Sequence, residues 1–432
     1  MTRIVTSDDT PAAAPASLWR NGNFRKFWVG EAFSLYGTQI SMFAIPVTAV
    51  LLGAGPAQMG LLRSAELFPY LAFALIFGVW IDRVRLRPIM IGANLIRMLL
   101  IGAVPILAWA GLLNLQILLV VAFLVGTASV LFDVAWMSYV PILVPDRSRL
   151  VEANTKLGVT AASAEAAGPG LAGLMVQVMR APFALAVDAA TYLVSLISLL
   201  LLRIPEPPRT PDAGNRRLRA ELAEGLRFVF GNRYLRGLAL IGFGCNFVIT
   251  GHSSMFLLYA IRSGLEAGTV GLILSIGAVG GVAGAALSRR VLTRFTPGGL
   301  YRFAFCSVFI APLLIPAASG SEVVLFAMFV SAYIITFMSM GLANVLVMSV
   351  RQAITPNALM GRMNAAMRTL LFGGGALGGV VAGQLAQVWG LRTGLWILAA
   401  GSALVVVPVL LSPVGRLQSM LEPVTETADG GA

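Results

Sequence analysis

Leu71-Ala-Phe-Ala-Leu-Ile-Phe-Gly78-Val-Trp-Ile-Asp82-Arg83-Val-Arg85-Leu-Arg87-Pro88-Ile-Met-Ile-Gly92 is the stretch that decides how the rest of the chain is read. Four charges crowd into a segment too short to be a domain, and apolar sequence closes on it from both sides. A helix crossing a bilayer core needs roughly 20 consecutive apolar residues, and the flanking runs, 59–80 and 88–110, have that length. The segment therefore reads as a basic turn at a membrane surface, of the kind retained on the cytoplasmic side during insertion.

Working outward, the same alternation continues to both ends. Apolar spans are predicted at 25–52, 59–80, 88–110, 116–141, 155–179, 182–202, 237–261, 268–288, 299–318, 322–348, 365–388 and 393–412. Of the 432 residues, 58% are hydrophobic and 12% charged, and the mean hydropathy is +0.85. A soluble domain carries about a quarter charged residues, so half that share leaves too little polar surface to face water. The class is all-α membrane, with twelve transmembrane helices.

An even number of spans puts both termini on one side. Only Arg180, Arg262 and Arg392 fall in odd-numbered loops, so the termini and even-numbered loops are predicted cytoplasmic. The net charge of +12 and pI near 10.6 follow from this topology. They do not mark a nucleic-acid surface, which would gather the charge on one polar face. The polar, alanine- and proline-rich residues 1–17 lack the apolar core of a cleaved signal peptide, and the first span is expected to direct insertion. Cys245 and Cys306 both lie inside apolar spans, which points to buried small side chains and against a disulfide framework or thiolate metal site.

The second half of the chain echoes the first. Asn21 and Arg25 match Asn232 and Arg236 at an offset of 211, as do Gly60-Leu61 with Gly271-Leu272, Arg83 with Arg294, and Pro145 with Pro356. After one deletion Asn154, Gly168 and Gly173 match Asn364, Gly378 and Gly383. The order and near-constant register indicate two pseudo-symmetric six-helix bundles, 23–202 and 234–412. A cytoplasmic tail is expected at 1–22, a linker rich in proline and arginine at 203–233, and a second tail at 413–432. Residues 220–230 are expected to form a short amphipathic helix on the inner membrane surface. Parallel halves related by an axis along the membrane normal are a transporter architecture, with the binding site near the midplane where the halves meet.

The loop Gly78 to Pro88 resembles the signature loop of the major facilitator superfamily: glycine, three residues, aspartate, arginine, then further basic residues. Two positions depart from it, Arg85 in place of a second glycine and Leu86 in place of a basic residue, and the second-half equivalent, Thr293-Arg294, lacks the aspartate. The resemblance implies the major facilitator fold and a conformational latch. In it, Gly78 permits close approach of a helix, Asp82 sits against a helix N-terminus, and Arg83 or Arg87 pairs with an acidic residue such as Asp133. Gly168-Pro169-Gly170-Leu-Ala-Gly173 resembles the helix-packing motif of the superfamily's proton-linked antiporters, with Ala164 replacing an earlier glycine. The runs Tyr139 to Asn154 and Thr355 to Asn364 are similar to those of the branch holding enterobactin exporters and macrolide efflux pumps. Together these resemblances imply export of an amphipathic organic compound in exchange for protons, without a metal or cofactor.

Ionisable groups within a bilayer are costly unless they face a cavity or a partner, so each is a candidate. Glu165 is central: it lies mid-span, where no snorkelling brings it to water, and a carboxyl there can exchange a proton for a substrate. Glu31, two turns into the first span, is a second proton or substrate candidate, and Arg97, Asn246 and Gln39 complete the list. Each carboxylate has a structural alternative, a hydrogen bond to a neighbouring helix. Arg63 and Glu66, three apart on one helix face, read as an ion pair at the cavity mouth. Asp188 reads as structural near a helix N-terminus, and the single histidine, His252, as a packed, hydrogen-bonded group. No Gly-rich phosphate loop ending in Lys-Ser or Lys-Thr is present, so a proton gradient is the energy source expected. The partners expected are a small-molecule substrate, protons and the lipid bilayer, with the protein acting as a monomer in a bacterial inner membrane. An importer and a non-transporting membrane sensor stay open as alternatives.

Overall fold

The computed structural model describes residues 17–81, 83–206 and 218–419, and among them every regular element is a helix. Asp82 of the signature loop, residues 207–217 of the linker and most of both tails lie outside the described residues. The first six long helices are α1 (Gly22–Leu51), α2 (Pro56–Ile81), α3 (Leu86–Trp109), α4 (Leu115–Leu143), α5 (Arg147–Met179) and α6 (Ala181–Leu200). A shorter helix, α7 (Leu218–Gly231), precedes α8 (Arg233–Arg262), α9 (Ala267–Leu292) and α10 (Pro297–Ile310). A 3₁₀ turn at Ala311–Leu313 then leads into α11 (Leu314–Ala317), followed by α12 (Glu322–Ile354), α13 (Asn357–Trp389) and α14 (Leu391–Leu411).

Ten spans, among the described residues, are long and apolar enough to cross a membrane, with α10 to α11 counted as one. The two further long helices, α2 and α5, have 26 and 33 residues and pack among them. α5 is the least apolar of the twelve because its first ten residues carry Arg147, Arg149, Glu152 and Lys156 and its remainder carries Glu165, Gln177 and the glycine and proline run. Several helices overrun their predicted spans: α5 begins eight residues before 155, α13 eight before 365, and α12 ends six beyond 348. Hydropathy marks only the part of a helix in hydrocarbon, whereas the helix itself ends where a cap or a break stops it. Asp146 supplies such a cap for α5, its Oδ1 accepting the Ser148 amide at 3.0 Å. The ninth span is interrupted at Pro312, which has no amide hydrogen to continue an α-helical ladder.

The repeat is visible in the caps. Asn21 and Asn232 cap α1 and α8 in the same way, each side-chain oxygen accepting the amides two and three residues on. Arg180 (φ 66°) and Gly390 (φ 86°) are the single residues that turn α5 into α6 and α13 into α14. A left-handed conformation suits glycine and strains arginine, so the tight turn is kept in the first half against its residue type.

Within the first six helices, α6 packs against α1 and α3, and α4 against α2 and α3. Among the later ones, α12 packs on α9 and α10, and α13 on α8 and α14. Two seams join the groups, α2 with α13 and α5 with α9. In both, glycine faces glycine. A β-carbon at Gly173 would lie 3.1 Å from the Gly271 Cα, and one at Gly383 would lie 3.1 Å from the Gly60 Cα. Ser64 Oγ also donates to the Ala376 carbonyl at 2.6 Å, and the Gly170 amide to Ser275 Oγ at 2.7 Å. These contacts lie in the halves of the helices farther from the chain termini. α7 lies against α13, with Arg362 and Glu224 paired at 2.9 Å.

Candidate functional site

A cavity of about 630 Å³ lies between the seams, walled by α1, α2 and α5 on one side and α9 and α12 on the other. On its odd-numbered-loop side lie the glycine seams and an adjoining cavity of about 150 Å³ that shares Met42, Phe43, Arg63 and Leu274; its wall nearest the termini is Ala162, Ala285 and Val345. Most of the wall is apolar: Met42, Phe43, Pro169, Leu274, Phe337 and Met340. Its polar groups are Gln39, Arg63, Glu165 and Asn344.

Glu165 is exposed to this space and, among the described residues, has no hydrogen-bond or ion-pair partner. The helix places it there for a local reason. Proline at position 169 has no amide hydrogen, so the Glu165 carbonyl lacks the acceptor role that the fourth residue on would give it. Gly168 meanwhile packs on the Gln39 side chain and Gly173 on α9. The glycine and proline run thus holds α5 against both halves with the carboxylate between them. Arg63 and Glu66 make the expected ion pair, at 2.6 Å, and Arg63 reaches the cavity wall.

A second cavity, about 350 Å³, opens nearer the termini. Glu31 of α1, Asp133 and Trp136 of α4, Asn154 and Gly158 of α5 and Arg368 of α13 line it. Asp133 accepts a hydrogen bond from Tyr70 Oη at 2.6 Å, and the Tyr70 ring stacks on Phe372 of α13 with centroids 4.5 Å apart.

The remaining candidates fall elsewhere. Arg97 is buried, 4% exposed, and lines neither cavity. Its guanidinium lies between the rings of Phe132 (4.2 Å) and Tyr192 (4.7 Å) and bonds to Asn94 Oδ1, within electrostatic reach of Glu31, Asp133 and Asp188. Asp188 is fully buried and held by Ser41 and Thr191. Asn246 donates to the Gly242 carbonyl of its own helix, and His252 Nδ1 meets the Val248 carbonyl at 2.9 Å.

The latch is differently arranged from the arrangement read in the sequence. Arg87 donates to the carbonyls of Leu199 and Leu200, not to Asp133. The acid that caps α3 is Glu206, which accepts the amides of Leu86 (2.7 Å) and Arg87 (2.9 Å). A β-carbon at Gly78 would meet nothing within 4 Å, so the close approach is not made in this structure. Arg83 is exposed, and Asp82 lies outside the described residues. Outside the spans, Glu152 accepts the Leu18 amide at 3.1 Å. That bond, then Lys156 and Arg149, holds its carboxyl below the usual carboxylate range.

Two groups escaped the sequence reading. Arg368 stands three residues inside the predicted span 365–388; its signal is an arginine within an apolar window, as for Arg63 and Arg97. Asn344 had a quieter signal, since at the repeat offset of 211 it is the counterpart of Asp133.

Residues 27–379 match the model of the Major Facilitator Superfamily. The chain is 27% identical over 402 residues to the multidrug efflux pump Tap of Mycolicibacterium fortuitum, covering 90% of this chain and 95% of that protein. It is 24% identical over 238 residues to macrolide efflux protein A of Streptococcus pyogenes, 55% of this chain and 58% of that one. The nucleoside transporter NupG has a similar fold, with a TM-score of 0.73 at 13% identity over 91% of this chain and all of the other. So does a bacterial homolog of the human lysosomal transporter Spinster, solved inward-facing and unoccupied, with a TM-score of 0.68 at 16% identity over 94% and 97%.

Proposed function

The chain belongs to the Major Facilitator Superfamily and is a multi-pass membrane transporter; on that premise we propose that it is a secondary active exporter of amphipathic organic compounds in exchange for protons. The observation that carries this is the unpartnered carboxylate of Glu165 in an apolar cavity between the two halves. Arg63 in the same wall is paired with Glu66, so Glu165 is the charge left over in a mostly apolar chamber and attracts a ligand that is mostly apolar with a positive or protonated end. Proton and ligand then compete for the carboxylate: the ligand binds the ionised group, a proton displaces it, and release follows on the other side.

The seams supply the alternation. Glycine faces glycine at α2/α13 and at α5/α9, so the two halves can rock about these contacts, as parallel-repeat transporters do. The two exporters by name among the relatives, at 27% and 24% identity, support export over uptake. The loop charges support an orientation with both termini in the cytoplasm of a bacterial cell. The division of the chain is two six-helix bundles, 23–202 and 234–412, flanked by tails and joined by the linker 203–233. The protein works as a monomer.

The test is a toxicity panel of amphipathic drugs in a pump-deficient bacterium. The wild-type chain is expected to raise tolerance to several lipophilic cations, and Glu165→Gln to return it to the empty-vector level, about tenfold or more. Sensitisation by the wild-type chain would indicate uptake; tolerance kept by Glu165→Gln would remove the carboxylate from the mechanism.

A further inference from the structure

The smaller cavity near the termini holds charges that export through Glu165 does not use. Glu31 and Asp133 enter it from α1 and α4 of the first half, and Arg368 enters from α13 of the second. Among the described residues no hydrogen bond or ion pair engages Glu31, and no ion pair joins Arg368 to either carboxylate. Arg368 instead rests with one guanidinium nitrogen 3.3 Å from Met137 Sδ and its carbon 5.7 Å from the Phe372 ring. Behind the carboxylates lies Arg97, 4% exposed, with no hydrogen-bond partner for its Nε among the described residues. The Trp136 indole nitrogen in the cavity wall is likewise buried and unpartnered.

We propose that Glu31 and Asp133 form a second proton-binding site, separate from Glu165, and that Arg368 is the counter-charge in the opposite half that ties its occupancy to closure of the terminus side. The proposal rests on the transporter reading for its purpose, but not on Glu165.

The arithmetic of charge supports it. In the first half three carboxylates, Glu31, Asp133 and Asp188, lie within electrostatic reach of one buried arginine, Arg97. Asp188 is satisfied by Ser41 and Thr191. Glu31 and Asp133 therefore share what Arg97 offers, and ionised charges left short of a partner in a membrane either take a proton or find a cation. α2 contributes Tyr70, α6 Asp188 and Tyr192, and α5 only uncharged groups, Asn154, Leu157, Gly158 and Ala161. Arg368 is the cation from the other half that lines the space.

A path already links it to Asp133: the Tyr70 hydroxyl donates to Asp133, the Tyr70 ring stacks on Phe372, and Arg368 lies over Phe372. With the carboxylates ionised, Arg368 is drawn across the cavity and the terminus side closes. One proton added to one carboxyl oxygen removes that attraction and lets the side open. The two carboxyls, being coupled, titrate as a pair.

Infrared difference spectroscopy of the purified full-length protein tests this without a substrate. Acidification is expected to produce a carboxylic-acid carbonyl band in wild type, reduced in Glu31→Gln and in Asp133→Asn. Arg368→Gln is expected to move the midpoint of that band, and Arg368→Lys to restore it in part. Bands in both carboxyl variants indistinguishable from wild type, or a midpoint unmoved by Arg368→Gln, would overturn the proposal. Should a carboxyl variant fail to fold, Arg368→Gln, half-buried and in contact mainly with Met137 and Phe372, still decides it.

A transport arm uses tetraphenylphosphonium, a lipophilic cation with no titratable group, in proteoliposomes. Arg368→Gln is expected to cut pH-driven transport about tenfold while probe binding stays within roughly twofold. Loss of binding in step with transport would make Arg368 a substrate contact instead. Failure of wild type to move the probe, with the infrared result intact, would count against the export reading and leave the proton pair standing.

Discussion

At the repeat offset Gly60 and Gly383 in one seam answer Gly271 and Gly173 in the other, while Glu31, Asp133, Glu165 and Asp188 of the first half stand opposite Gly242, Asn344, Gly375 and Leu398 of the second. Arg63, Glu66 and Arg97 likewise stand opposite Leu274, Gly277 and Val308. The two halves thus share the residues on which they slide and differ in the residues that carry charge. A seam must be matched on both sides, because each half contributes one helix to each contact. A charge centre has no such constraint, and one half suffices for it. The second half supplies an apolar wall, Asn344 and the single cation Arg368.

The sharpest way to break this comparison is to give the second half a charge that it lacks. Leu398 is 4% exposed and has no counterpart of Arg97 nearby, because Val308 stands there. Leu398→Asp is expected to bury a carboxylate without a partner, costing several kcal/mol. Loss of the monodisperse, thermally cooperative protein in detergent is the expected outcome. Normal melting would mean that the second half tolerates charge as the first does.

A smaller effect is expected at the seams, and there the halves should behave alike. Gly60→Val and Gly271→Val each force a branched side chain against backbone of the opposite half, at an overpacking cost of about 1–3 kcal/mol. Both variants are expected to lower the melting temperature by similar amounts and to slow transport. Gly78→Ala, where a β-carbon meets nothing within 4 Å, serves as the neutral control for melting. A large loss at one seam only would show that the rocking is not symmetric.

The smallest effect concerns the edge of the first half. Glu152 ties the 3₁₀ turn Leu18–Arg20 to α5 through the Leu18 amide. Its carboxyl is held below the usual range by that bond first, then by Lys156 and Arg149. A depressed folded value means that the tie is present at and above the ordinary carboxylate range and is lost as pH falls through the folded value. Trp19, 4.8 Å from the Trp28 ring and under Lys156, reports it. Its fluorescence is expected to change only on the acid side of the ordinary range, and Glu152→Gln to abolish that change.

Much of this molecule follows from one-dimensional properties. Helical class, the approximate spans and the repeat were all legible, because apolar run length, loop charge and glycine spacing are written directly along the chain. The depth of Glu165 was legible in the same way, a carboxylate midway along a span four residues before Pro169; that it faces a cavity came from packing. The Arg63–Glu66 pair was legible too, since three residues on a helix fix one face. Helix ends were less so: α5 and α13 start a full two turns early, α5 at the Asp146 cap and α13 directly after Pro356, because a helix start outside the hydrocarbon leaves no mark on hydropathy.

What tertiary structure alone decided is which charges meet. Arg97 and Arg368 look alike in sequence, each an arginine in an apolar window. One is enclosed between Phe132 and Tyr192, and the other crosses from the second half to a cavity of the first. Asp133 was read as a partner for the basic loop and is engaged by Tyr70, while Glu206 of the linker occupies the α3 N-terminus. A helix that is apolar all round has no strong stripe to fix its rotation. Length and charge alternation therefore place each residue at a depth in the bilayer, and only packing against neighbours chooses the direction in which it points.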